Sequence, residues 1–176
     1  MRRPIALATL LAALSVAPPT LHAQRPLTVG VAGGVSLPVG SFGDGADVGW
    51  HALAALALGS QMHPLGLRLD ATYTTFPLGE SDEARRITSV TLGPTYRLPS
   101  AGWAVAPYLL AAAGAYYLDC SDDALCDGTT RFGWNAGLGM RARGLGLHGF
   151  LEARYHRIAF RGDAVQWAPV TVGLLF

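Results

Sequence analysis

The stretch Trp167–Phe176, WAPVTVGLLF, reads as a β-strand with one consistently apolar row. Val170, Val172, Leu174 and Phe176 fall at every second position, and a strand sends alternate side chains to opposite faces. A soluble fold gains little by stopping inside such a strand. A sheet closed on itself in lipid does gain, because its last strand must pair with its first and leave no edge. The expectation is therefore a closed sheet whose final strand ends on Phe176.

The other end of the sequence agrees. Arg2 and Arg3 precede an uncharged apolar run from Ile5 to Val16, the layout of a secretory signal peptide. Cleavage after Ala17 would leave Pro18 first, which blocks processing, so cleavage after Ala23 is favoured. The run is too short to span a bilayer as a helix. The expected division is a signal peptide over 1–23 and one domain over 24–176. Arg2-Arg3 alone lacks the flanking residues of a twin-arginine signal.

Composition narrows the class. Apolar residues make up 51% of the chain and charged residues 14%, with no lysine at all. Without Arg2 and Arg3, 11 arginines face 12 acids, a net charge of −1 with no basic run, which argues against nucleic acid as a partner. After the signal no segment reads as a clean transmembrane helix. The nearest, Trp103 to Leu118, is short and broken by Pro107 and Gly114. High apolarity without apolar helices is the pattern of strands that alternate in lipid.

Strand-length segments recur with turn residues between them. They run over 27–37, 48–58, 65–76, 86–98, 103–118, 130–141, 146–158 and 167–176. In the first, Leu27, Val29, Val31 and Val35 oppose Thr28, Gly30, Ala32, Gly34 and Ser36. In the third, Leu65, Leu67, Leu69, Ala71 and Tyr73 oppose Arg68, Asp70, Thr72 and Thr74. The fourth sets Val90, Leu92, Tyr96 and Leu98 against Ser89, Thr91, Thr95 and Arg97. The sixth sets Phe132, Trp134, Leu138 and Met140 against a row of Arg, Gly and Asn. The seventh sets Leu147, Leu151, Ala153 and Tyr155 against His148, Glu152, Arg154 and His156. The second and fifth have apolar or small residues on both rows, so their faces stay open. The fold class is all-β: an eight-stranded antiparallel transmembrane β-barrel, preceded by the signal peptide. Loops after strands one, three, five and seven read as long and the others as short, the asymmetry of an outer-membrane barrel with periplasmic termini.

Charge fixes the register. Ten of the twelve acids fall in the four long loops: Asp44, Asp47, Glu80, Asp82, Glu83, Asp119, Asp122, Asp123, Asp127 and Asp163. An arginine facing lipid at mid-bilayer costs roughly 2–4 kcal/mol. Turning Arg68, Arg97, Glu152 and Arg154 outward would stack several such costs, so they are expected inside. Trp50, Tyr73, Tyr96, Trp103, Tyr116, Tyr117, Trp134, Tyr155, Trp167 and Phe176 read as interfacial aromatic girdles.

The chain resembles the small outer-membrane β-barrel proteins of Gram-negative bacteria, the group of the OmpA transmembrane domain, OmpX and OmpW. The resemblance is carried by Val31–Pro38 (VAGGVSLP) and the Gly/Asp-rich loop after it, Pro107-Tyr108-Leu109, Phe132–Gly139 (FGWNAGLG), Glu152-Ala153-Arg154-Tyr155 and terminal Phe176, and it spans the whole mature chain. It implies outer-membrane localisation, contact with outer-membrane lipid and lipopolysaccharide, and a monomer. It also implies that Val170, Val172, Leu174 and Phe176 are the signal read by the barrel-assembly machinery. With no periplasmic domain after Phe176, peptidoglycan anchoring of the OmpA kind is not expected.

Three groups of residues carry candidate chemistry. Arg68, Asp70, Arg97, Glu152, Arg154 and His156 are expected to share the barrel interior, as a pairing network that plugs a narrow lumen or as a gated ion path. Cys120 and Cys126, separated by five residues, fit a loop disulfide in an exported protein. Asp119, Asp122, Asp123 and Asp127 could bind a divalent cation, but their spacing is that of no calcium loop, and a solvated acidic loop is favoured. No metal site and no cofactor is expected. Deacylases of lipid A with this architecture carry a His-Ser pair on one strand. Here His156 is followed by Arg157, Ile158, Ala159 and Phe160, so the nucleophile is missing. The expected role is structural or interactive, with a small channel for ions or hydrophobic solutes as the alternative and lipid A modification a distant one.

Overall fold

The computed structural model describes residues 27–59, 63–78, 84–99, 105–120, 128–144, 147–159 and 164–176. The expected signal peptide lies outside them. Eight strands form: β1 Leu27–Pro38, β2 Gly49–Gly59, β3 Leu65–Pro77, β4 Ala84–Arg97, β5 Val105–Cys120, β6 Thr129–Gly144, β7 Leu147–Ala159 and β8 Ala164–Leu175. Each pairs antiparallel with the next, and β8 pairs with β1, so the sheet closes into a barrel with no free edge. Closure continues to the last residue. The Phe176 N–H donates to the Val29 carbonyl at 2.8 Å, and the Val29 N–H donates to the Phe176 carbonyl at 3.1 Å.

The two-residue period sorts the side chains of every strand. Outward rows such as Leu69, Leu92 and Val172 are exposed and apolar, while inward rows are buried. Leu69 sits opposite Leu56 on one side and Leu92 on the other, so one apolar belt runs round the wall. No aqueous fold tolerates such a belt, and lipid covers it at no cost. No helix among the described residues is long and apolar enough to cross a membrane, which says nothing of a barrel that would cross with strands.

Both open strands now have faces. β2 turns His51, Leu53, Ala55 and Ala57 inward and Trp50, Leu56 and Leu58 outward. β5 turns Tyr108, Leu110, Tyr116 and Leu118 inward and Leu109 and Tyr117 outward. Two expected girdle residues are therefore corrected. Tyr116 and Trp167 are 0% and 2% exposed and fill the lumen. Trp103 lies outside the described residues.

The loop alternation is less regular than the sequence suggests. β8 begins at Ala164, not Trp167, and leaves only residues 160–163 between β7 and β8, whereas 98–104 join β4 to β5. Val165 explains the earlier start: it packs against the apolar cluster at that end of the lumen.

We call the end carrying the β1–β2, β3–β4, β5–β6 and β7–β8 connections the upper end. Its mouth is filled by Phe42, Phe76, Ile87, Tyr116, Leu118, Ile158 and Trp167. Phe42 comes from a single 3-10 turn, Gly40–Asp44, that folds back over the opening. Its ring meets Phe76 edge-on at 5.0 Å. Gly40 starts this turn at φ +64, a left-handed conformation that glycine adopts without a Cβ penalty. Lower down, Leu53, Ala55 and Phe150 form a second apolar cluster with Ala32 and Leu175.

Candidate functional site

Between the two apolar clusters lies a ring of four charges. Arg68 and Asp70 are two positions apart on β3, and Glu152 and Arg154 two positions apart on β7, so each pair points inward from one strand. β3 and β7 stand on opposite walls, with three strands between them either way round. Arg68 Nε donates to Asp70 Oδ1 at 2.7 Å, and Arg68 Nη1 to Glu152 Oε1. Arg154 Nη1 donates to Asp70 Oδ2 at 2.7 Å, and its Nε and Nη2 to Glu152 Oε2 at 2.8 and 2.6 Å. Each guanidinium thus bridges both carboxylates, and the Tyr108 hydroxyl from β5 adds a donor to Glu152. All four charged side chains are at most 5% exposed. Isolated burial of any of them would cost several kcal/mol, which the closed and neutral ring offsets.

Two further polar clusters lie above the ring. Ser36 Oγ is 3.0 Å from His51 Nδ1, and His51 Nε2 is 2.9 Å from Thr171 Oγ1, so one imidazole on β2 ties β1 to β8 across the closing seam. The Tyr116 hydroxyl lies 3.1 Å from His156 Nδ1 and accepts from Asn135 Nδ2 at 3.1 Å. The His156 ring stacks on Trp167 with centroids 4.7 Å apart.

Of the six lumen residues proposed from sequence, the structure brings Arg68, Asp70, Glu152 and Arg154 together. His156 belongs instead to the Tyr116–Trp167 cluster. Arg97 points inward but sits at the lower mouth, where its Nη2 donates to the His63 carbonyl at 2.8 Å, and so stays out of the ring. Sequence reading missed Tyr108 and His51 because both lie on strands with unresolved faces; His51, the one ionisable residue of β2, carried the parity signal. Val170, Val172, Leu174 and Phe176 form an outward row beside β1. Cys120 ends β5, and Cys126 lies outside the described residues, as do the acids of the upper loops other than Asp44, Asp47 and Asp119.

The Glu152 carboxylate is occupied by two guanidinia and a phenol, and His156 Nδ1 by Tyr116, so the two form no dyad. Ser36 meets an imidazole but is 0% exposed, so no substrate reaches its Oγ. Among the described residues, no three His, Cys, Asp or Glu side chains gather into a metal-binding group.

No protein-family model and no curated protein sequence matches the chain. Its fold does match solved structures. Neisserial surface protein A is similar at a TM-score of 0.66 and 14% identity, over 85% of this chain and 96% of that one. The outer membrane enzyme PagL is similar at 0.55 and 17%, over 83% and 97%. Ail of Yersinia pestis, determined in a phospholipid bilayer nanodisc, is similar at 0.52 and 15%, over 86% and 100%. The chain has the fold of the small eight-stranded outer-membrane barrels, of the OmpA and OmpX type.

Proposed function

We propose that this chain is a sealed barrel of the Gram-negative outer membrane with a structural and surface-contact role. It would be exported by residues 1–23, assembled through its terminal row Val170, Val172, Leu174 and Phe176, and work as a monomer in contact with lipid and lipopolysaccharide. The observation that carries this reading is the succession of seals inside the lumen: the Phe42–Trp167 plug, the four-charge ring and the Phe150 cluster. An eight-stranded barrel is narrow enough for side chains to fill it. A protein built this way offers the cell its wall and its loops, not a passage. The clustered acids of the upper end suit surface contact better than burial. The loop disulfide Cys120–Cys126 would brace one of those loops, adding roughly 2–3 kcal/mol in the chain-entropy model.

The test is a host strain lacking the chain, assayed for uptake of a hydrophobic dye and for surface adhesion. A change in either, restored by the intact gene, supports the reading. If a barrel with shortened upper connections restores the barrier but not adhesion, the two roles separate. An unaltered envelope with altered uptake of one small solute would overturn it in favour of a channel.

A further inference from the structure

The upper plug hangs from few points. The stretch 39–47 is held at its two ends: the Val39 N–H donates to the Gln166 carbonyl at 3.0 Å, and the Asp47 N–H to the Pro77 carbonyl at 2.9 Å. Between those ends only Phe42 and Ala46 are buried. A segment with so few buried contacts opens locally far more easily than the strands beneath it unfold. The Phe42 turn is thus a light lid on a rigid wall.

An ionisable group sits under that lid. Phe42 packs on Phe76, Phe76 on Trp167, and Trp167 stacks on His156 with the ring planes 24° apart. His156 is 4% exposed. Its hydrogen bonding suits a neutral ring. Asn135 Nδ2 donates to the Tyr116 hydroxyl, whose own proton is left for His156 Nδ1. An imidazolium donates at both nitrogens and cannot accept that proton.

The surroundings of His156 do not welcome a positive charge. It faces His51 from β2, Tyr116 from β5 and, along its own strand, Arg154. Asp70 on β3 and Glu152 on β7 are each committed to both ring guanidinia. Arg85 on β4 lies over the Phe42 ring, and Arg131 is on the inward row of β6. β1 and β8 bring the uncharged Ser36, Trp167 and Thr171, and Asp44 of the turn is exposed. The indole face of Trp167 offsets part of the cost of a buried cation but supplies no acceptor.

We propose that His156 and the Phe42 turn form an acid-operated lid: protonation of His156 drives the turn off the upper mouth, where the imidazolium meets water, while the charge ring below keeps the lumen shut. The open state accepts a proton for which the closed state has no place. The ratio of open to closed lid therefore rises as pH falls below about 6.5, by up to about tenfold per pH unit. This goes beyond the sealed-barrel reading, which the ring upholds whether or not the lid moves.

The experiment is acrylamide quenching of Trp167 fluorescence in the mature barrel folded in phosphatidylcholine vesicles, from about pH 8 to about pH 5, with Trp50, Trp103 and Trp134 replaced by phenylalanine. The expected result is a quenching constant that rises severalfold in acid and returns on neutralisation, while the protein stays compact and heat-modifiable on electrophoresis. H156Q, which stays neutral and can still accept from Tyr116, should keep the low constant at every pH. F42A, which lacks the stopper, should show the high constant at every pH; should H156Q fail to fold, F42A carries the test. A constant in the parent that does not change with pH would overturn the proposal. So would a rise that persists in H156Q, a further acid rise in F42A, or loss of the compact form over the same range.

Discussion

Asp70 on β3 and Arg154 on β7 stand on opposite walls of the barrel, and Asp70 Oδ2 lies 2.7 Å from Arg154 Nη1. A contact that spans the lumen must close it as well as stabilise it. Breaking such a buried pair leaves a charge without its partner, at a cost of about 3–5 kcal/mol. D70N and R154Q should each lose about that much in urea unfolding from lipid vesicles. The double variant should lose clearly less than the sum, because each single change strands the charge that the other removes. Additive losses would mean that the two residues do not interact.

Closure of the barrel depends on Gly34. A Cβ there would sit 1.9 Å from the Val170 carbonyl oxygen and 3.0 Å from His51 Cε1, at the seam between β1 and β8. Backbone cannot yield that much locally. Gly34→Ala should sharply reduce the yield of the compact, heat-modifiable barrel on electrophoresis. Gly45→Ala, with nothing within 4 Å of its Cβ, should fold like the parent. Equal yields from both would contradict the assigned seam.

Phe42 is the stopper of the upper mouth. It packs on Phe76, whose ring lies 6.2 Å from that of Trp167, and the Arg85 guanidinium sits 5.3 Å from the Phe42 ring. Phe42→Ala should cost about 3 kcal/mol. It should also open Trp167 to a water-soluble quencher. Fluorescence quenching in a background with Trp50, Trp103 and Trp134 replaced by phenylalanine reads this directly. Unchanged quenching would mean that the 3-10 turn does not cover the mouth.

The belt supplies a test of the membrane itself. Leu92 is 50% exposed and flanked by Leu69 and Ala113. On a soluble surface Leu92→Arg would be nearly neutral, within about 0.5 kcal/mol. Facing the mid-bilayer it should cost about 2–4 kcal/mol of unfolding free energy measured in vesicles. A neutral outcome would argue against lipid at this face.

Where one row of a strand was polar and the other apolar, parity was legible. β3, β4, β6, β7 and β8 face as their alternation requires, since a charge toward lipid is dear and a leucine there is free. β2 and β5 carry alanine and leucine on both rows, so periodicity alone gave no direction. Trp167 was misplaced although its parity, opposite to Val170 and Val172, already put it inside; aromatic identity outweighed position. Which inward charges meet was not legible at all. Alternation gives the face of a residue but not its height, and only the inter-strand register separates Arg97 at the lower mouth from Arg68 in the ring. Phe42 lay beyond pattern reading, because a loop residue turned into a lumen leaves no periodic trace.

The sealed lumen is the central claim, and electrical recording from the refolded mature barrel in a planar bilayer tests it most directly. The structure predicts a folded, heat-modifiable protein that inserts and stays silent, with the plug and the charge ring both intact. Discrete and reproducible conductance steps from that same protein would contradict it, and would make Arg68, Asp70, Glu152 and Arg154 the walls of a path.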